Sequence, residues 1–204
     1  MKRVIGLAAG IEYFQRERNM PADAVLSDGN GLFSDKVSPN EFAARVIDIV
    51  RNDGDAGLAR INTALDGSSP EVFEIPQSEI DSAYASMDPA AIKALELAAT
   101  RVRKFQSRGL PKSWSDGTGK FGERVTPLGS VAAYVPGGTA PLASTVIMTV
   151  VPAKVAGVKE IIVATPAPGD SMPHPAVLAA AKIAGASRVF KLGGAQAIAA
   201  LAYG

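Results

Sequence analysis

The sequence predicts an α/β fold: a parallel βαβ sheet over about 129–204, preceded by an N-terminal α+β lobe over about 38–127. Three observations carry this. After Gly129 charge thins, and alanine, valine and glycine dominate. In that half a unit of strand, glycine or proline turn, and helix occurs three times. Strands separated by single helices give right-handed crossovers and a parallel sheet. Before Gly129 the chain instead carries capped helices with mixed faces and a short hairpin pattern.

Taken in order, residues 1–37 form a first segment. Its apolar run, Met1 to Ile11, is short and passes straight into Glu12-Tyr13-Phe14-Gln15-Arg16. That is the pattern of an amphipathic N-terminal helix rather than a secretion signal. A loop over 20–37 follows, with Asp28-Gly29-Asn30-Gly31 as a turn.

Ser38-Pro39-Asn40-Glu41 is a capping box with proline at the first helical position. Phe42, Val46, Ile49 and Val50 then recur at helical spacing. Asn52-Asp53-Gly54-Asp55 interrupts, and a second helix runs to about Leu65, closed by Gly67. Val72-Phe73-Glu74-Ile75 alternates as a short strand, and a short helix follows near 78–86. Asp88-Pro89 caps a longer helix through Phe105, with Ile92, Leu95, Ala99 and Val102 on one face and Gly109 past its end. Arg101, Arg103, Lys104 and Arg108 crowd its C-terminus, where they suit the helix dipole. Residues 111–127 read as a hairpin turning at Asp116-Gly117-Thr118-Gly119, with Trp114 as a packing residue. Residues 38–127 are expected to pack as a lobe of their own.

The second half, 128–204, is expected to hold strands at 131–135, 160–164 and 188–192. Helices follow them at about 141–155, with a kink or break at Pro152, at about 175–184, and from about 195. None of these helices has a polar face in the usual sense, so this half should be deeply buried. Ligands of such sheets bind beyond the C-terminal strand ends. Those ends are Tyr134-Val135-Pro136-Gly137-Gly138, Thr165-Pro166-Ala167-Pro168 and Leu192-Gly193-Gly194-Ala195-Gln196. A strand, a glycine turn and a helix N-terminus together make an anion site. An ordinary tight turn is the alternative. The Gly-Gly pair at two of the three strand ends favours a nucleotide site, although the spacing is not GxGxxG.

Composition narrows the function. A net charge of +1 implies no nucleic-acid partner. No run is long and apolar enough to span a membrane. There is no cysteine and a single histidine, His174, so neither a thiolate nor an imidazole-rich metal site can be assembled from this chain alone. His174, in Met172-Pro173-His174-Pro175, reads as a solvated loop residue.

At this point the residues resemble a known family. Tyr134-Val135-Pro136-Gly137-Gly138-Thr139-Ala140-Pro141-Leu142-Ala143-Ser144-Thr145-Val146 closely resembles the N-terminal half of histidinol dehydrogenases. So does Leu192-Gly193-Gly194-Ala195-Gln196-Ala197-Ile198-Ala199-Ala200-Leu201, and Val151-Pro152-Ala153-Lys154-Val155-Ala156-Gly157 lies between them at matching spacing. The match is strong over about 125–204 and looser over 38–124.

The resemblance implies an NAD-dependent, zinc-containing enzyme of histidine biosynthesis. It would oxidise L-histidinol to L-histidine through the bound aldehyde, as a cytoplasmic homodimer with Rossmann-like domains. The Rossmann-like half-domain would be 128–204, and 38–127 would belong to the second domain. The cofactor-binding residues it implies are Tyr134, Pro136, Gly137, Gly138, Gly193, Gly194 and Gln196. The sequence stops at Leu201-Ala202-Tyr203-Gly204, where the family continues for a similar length again. The family's Gly-Pro-Gly-Asn stretch, zinc ligands and Glu-His pair have no counterpart here. No catalytic residue and no metal ligand are therefore expected within this chain, which should be inactive alone. Two alternatives stand beside this reading. One is a family member oxidising another small amino or sulfonated alcohol. The other is a non-catalytic half-length module that binds nucleotide or assists assembly.

Overall fold

The computed structural model of the chain describes residues 28–137, 140–167 and 171–203. The helix expected before residue 20 lies outside them.

Helix α1 spans Pro39–Asp66 and is built as its sequence dictates. Ser38 Oγ accepts from the Glu41 N–H at 3.3 Å, and Pro39 occupies the first turn. Gly54, at φ 58 and ψ −136, divides the helix into two arms, and Gly67, at φ 79, ends it. Only glycine adopts such angles cheaply, which is why the break falls there. Arg45 closes the preceding loop onto the first arm, 2.6 Å from both Asp35 and Glu41.

The strand expected over 72–75 is reduced to one antiparallel bridge, Glu74 to Phe190. Pro70 and Pro76 bracket this stretch, and proline offers no N–H to extend a ladder. Helices α2, Gln77–Ser86, and α3, Pro89–Arg108, follow. The Asp88 carboxylate caps α3 by accepting from the Ala90 N–H at 2.8 Å. The hairpin is present as β1, Trp114–Ser115, paired antiparallel with β2, Gly122–Glu123. Trp114 packs within the hairpin, edge-on to Phe121, and remains 53% exposed.

The second half alternates as expected. It runs β3 (Ser130–Tyr134), α4 (Ala143–Val155), β4 (Glu160–Thr165), α5 (Pro175–Ala184), β5 (Arg188–Lys191) and α6 (Gly194–Tyr203). The sheet order is β3-β4-β5, all parallel, with Tyr134 opposite Ala164 and Val163 opposite Val189. Helix α4 runs through Pro152 to Val155 rather than ending there.

Side chains alternate between the two faces of a strand. Val131, Ile161, Val163 and Val189 join one core with Ile80, Ala99, Val150 and Leu178. Tyr134, Ala164 and Phe190 face the other core, with Val46, Leu58, Ile61 and Ala197. Helices α2 to α5 therefore cover one face, and α1 and α6 the other. Residues 39–108 pack against the sheet, on both of its faces. Both faces of the sheet are apolar. Apolar side chains that remain outside lie mainly on α3 and the hairpin region: Phe105, Phe121 and Leu128 are 75%, 65% and 67% exposed.

Candidate functional site

The C-terminal ends of β3 and β4 open into a cleft of about 820 Å³. Pro136, Gly137, Pro166, Met172, His174 and Asp66 are among its walls. Pro166, just past β4, is held between two glycines. A Cβ on Gly137 would lie 2.6 Å from Pro166 Cγ, and one on Gly193 2.7 Å from Pro166 Cβ. Neither approach leaves room for a side chain. The glycines at equivalent places in the repeat thus have a packing reason, and they leave the backbone bare at the strand ends.

The residues expected to bind a cofactor fall into three places. Pro136 and Gly137 are exposed walls of the cleft. Gly193 is buried against Pro166 and lines an adjoining crevice with Asn62, Ser68, Ala167 and Lys191. Gly138 lies outside the described residues. Tyr134 is half-buried under the sheet, and its hydroxyl accepts from the Gly194 N–H at 3.3 Å. Gly194 opens α6 at φ 66, and a Cβ there would collide with Gln196 Oε1.

Gln196 is only 2% exposed. Its Nε2 donates to Asn62 Oδ1 at 3.1 Å, joining α6 to the second arm of α1. Its Oε1 is buried with no hydrogen-bond partner among the described residues. An orphaned buried carbonyl costs about 1–3 kcal/mol, so it marks a place where a donor belongs. Neither Tyr134 nor Gln196 lines the cleft itself: Tyr134 precedes the Pro136–Gly137 turn that does, and Gln196 lies against the Gly194 turn.

Three further residues join the site that the sequence reading did not single out for it. Asn62, 3% exposed, fixes the Gln196 amide. Its signal was a polar residue beside Ile61 on an apolar arm. Asp66, the last residue of α1, lines both cleft and crevice, and desolvation there raises its carboxyl above the ordinary value. His174 is exposed, as expected, but is more than a loop residue. Its Nδ1 accepts from the Ala176 N–H at 3.1 Å and caps α5 at the cleft wall. Among the described residues, no group of three or more histidine or carboxylate side chains could hold a metal ion.

The family model for histidinol dehydrogenase matches residues 34–204. The chain is 46% identical over 186 residues to histidinol dehydrogenase of Deinococcus radiodurans, covering 89% of this chain and 42% of that protein. It is 47% identical over 170 residues to the Agrobacterium fabrum enzyme, covering 81% of this chain and 39% of that one. The crystal structure of histidinol dehydrogenase from Elizabethkingia anophelis superposes with a TM-score of 0.75 at 28% identity, over 88% of this chain and 43% of that chain. The chain thus spans about two fifths of the length of the curated relatives it matches. The parallel sheet, its paired glycine turns and a family match over most of the chain agree, and the chain belongs to the histidinol dehydrogenase family.

Proposed function

We propose that this chain supplies the first part of the dinucleotide site of an NAD-dependent, zinc-containing histidinol dehydrogenase, which oxidises L-histidinol to L-histidine through the aldehyde. The observation that carries it is the pairing of two bare glycine turns around Pro166 with the orphaned Gln196 Oε1 beneath them. NAD fits such a place. The bare turns let a pyrophosphate approach the backbone at the strand ends, and the buried Gln196 carbonyl lies close by. Bound there, NAD would supply the hydride acceptor.

The chain's own contributions are binding and orientation. Pro136 and Gly137 shape the mouth of the cleft. Tyr134 holds the Gly194 N–H, and through it the start of α6. Asn62 sets which end of the Gln196 amide is left free. Zinc is different: among the described residues no set of ligands assembles, and no step is routed through it. In this reading zinc and the proton-handling groups are held by parts of the enzyme outside these residues. Residues 128–204 are then half of the nucleotide-binding domain, and 38–127 belong mainly to a second domain. Homodimerisation and a cytoplasmic site of action come with the family resemblance. Among the described residues no helix is long and apolar enough to cross a membrane.

The test uses the chain itself. Titration of residues 1–204 with NAD, followed by amide NMR, should shift Gly137, Gly193 and Gly194. Each lost contact to a charged or buried polar group weakens binding about ten- to a hundredfold, so affinity should be about millimolar at best. Tyr134→Ala and Gln196→Ala should weaken it further. Histidinol oxidation should be undetectable for the chain alone and should appear when a separately expressed C-terminal half of the enzyme is added with zinc. Shifts confined to another surface would refute the placement of the cofactor.

A further inference from the structure

Along a strand, each residue points its N–H and C=O to one side and the next residue points them to the other. The Gly129 carbonyl accepts from the Glu160 N–H at 3.3 Å, and the Val135 N–H donates to the Ala164 carbonyl at 2.8 Å. The odd-numbered residues of β3 therefore face β4. Ser130, Ala132 and Tyr134 turn their backbone groups the other way, where no strand pairs with them among the described residues.

A border of this kind is ordinarily blunted by charge, proline, a bulge or a covering loop. Residues 128–135, Leu-Gly-Ser-Val-Ala-Ala-Tyr-Val, carry no charge and no proline. Ala132 stays exposed, although Ala164 on the same sheet face is fully buried. Met148, on the helix that follows this strand, is 66% exposed. The outer side of β5 already carries the Glu74 to Phe190 bridge. One open border admits a closed pair of molecules, whereas two would admit growing chains.

The free groups at 130, 132 and 134 are symmetric about Ala132. Turned end for end, the border meets itself, with Ala132 opposite Ala132, Ser130 opposite Tyr134 and Val131 opposite Ala133. No like charges are opposed in these cross-strand pairs, and no two bulky side chains meet. The chain's net charge of +1 adds little repulsion between copies.

We propose that β3 is an interface for a second copy of this chain, the two β3 strands pairing antiparallel about a two-fold axis through Ala132. Ala132 exchanges both its backbone hydrogen bonds with the partner's Ala132, which holds the two Cα atoms about 5.5 Å apart. The two sheets then run on as one. The pairing is independent of what the cleft binds.

The experiment is sedimentation velocity of residues 1–204 over a range of concentrations, for wild type, Ala132→Pro and Ala132→Lys, with thermal melting of each. Proline at 132 removes only the outward N–H and spares the ladder to β4. Lysine sets two ammonium groups against each other at the axis. Wild type should reach a dimer and stop there. Each variant should weaken the dimer about tenfold or more, since the symmetry repeats every loss twice. The lysine variant, whose backbone is unaltered, should melt as wild type does at the lowest concentration. The chain has no cysteine, so Ala132→Cys takes a single nitroxide label. Its spectrum should show dipolar broadening that vanishes when labelled chain is diluted with unlabelled chain. A monomer at every concentration, growth beyond a dimer, or a dimer without broadening at 132 would each overturn the pairing. So would a dimer that both variants leave intact, as expected if the exposed Phe105 and Phe121 joined the copies instead. A label at 132 that is immobilised only when a separately expressed C-terminal half of the enzyme is added would give the border to that partner and overturn the pairing as well.

Discussion

The hydroxyl of Tyr134, at the end of β3, accepts a hydrogen bond from the backbone N–H of Gly194, 60 residues later and at the start of α6, at 3.3 Å. Tyr134 ends β3 and Gly194 follows β5, the two outer strands of the sheet, so the bond ties together turns on either side of β4. Tyr134→Phe should keep the ring and lose the bond. We expect a cost of about 0.5–1.5 kcal/mol in urea unfolding. The Gly194 amide should exchange faster in deuterated water, with little change at Val163. Unchanged Gly194 exchange would show that the contact does not hold the turn.

Asn62 and Gln196 form a side-chain pair within the α1–α6 core. Asn62→Ala should cost about 1–3 kcal/mol, because it strands the Gln196 amide in an apolar layer. Gln196→Ala should cost a similar amount for the same reason. The double variant should fall short of the sum by about 0.5 kcal/mol or more, as expected for direct partners. Strict additivity in chemical denaturation would refute the coupling.

Pro166 separates the two glycine turns by different atoms. Gly137→Ala and Gly193→Ala should each destabilise by about 1–3 kcal/mol through overpacking. Pro166→Ala should rescue Gly137→Ala, whose clash at 2.6 Å is with Pro166 Cγ. It should not rescue Gly193→Ala, whose clash at 2.7 Å is with Cβ. Pro166→Gly should relieve both. Melting temperatures of the double variants decide this, and equal rescue of the two would contradict the geometry.

Acid acts on this fold in two directions. Hydrogen bonds from Arg188 hold the Glu74 carboxyl below its ordinary value, and one from Lys182 does the same for Asp81. A depressed carboxyl contributes stability above its unfolded pKa and loses it as pH falls through the folded one. Asp66 is raised, so it costs stability near neutrality, and that cost vanishes below its unfolded pKa of about 4. Glu74→Gln should therefore lower the urea midpoint at pH 7, and Asp66→Asn should raise it. Both differences should fade towards pH 2, and a difference that persists there would show that the effect is not electrostatic.

Much of this architecture could be read locally. The cap at Ser38, the break at Gly54, the closure at Gly67 and the bounds of α5 all follow from residues within a few positions of each feature. What could not be read depends on distance along the chain. The pairing of Asn62 with Gln196 spans 134 residues and leaves no local trace. Residues 72–75 alternate like a strand, yet two flanking prolines cut the ladder to a single bridge. That residues 39–108 cover both sheet faces could not be read either, because apolar periodicity shows that a helix face is buried and not against what. In the candidate site, the glycine turns were legible as punctuation. Asp66 was not, since an acid closing an exposed helix looks like any solvated residue until the cleft beside it is seen.

The antiparallel bridge at Glu74 decides how the sheet can grow. The Ile75 N–H donates to the Val189 carbonyl and the Lys191 N–H to the Phe73 carbonyl, so the outer rim of β5 is already stitched. Arg188 clasps Glu74 with two bonds, at 2.9 and 2.7 Å, and locks that seam from outside. Strand β3 is the other border of the sheet, with no strand beyond it among the described residues. Among the described residues, a strand added to this sheet finds a free ladder only there. The sheet is thus a one-way template, sealed at β5 and open at Ser130–Tyr134, so ordered pairing and misassembly compete for the same border.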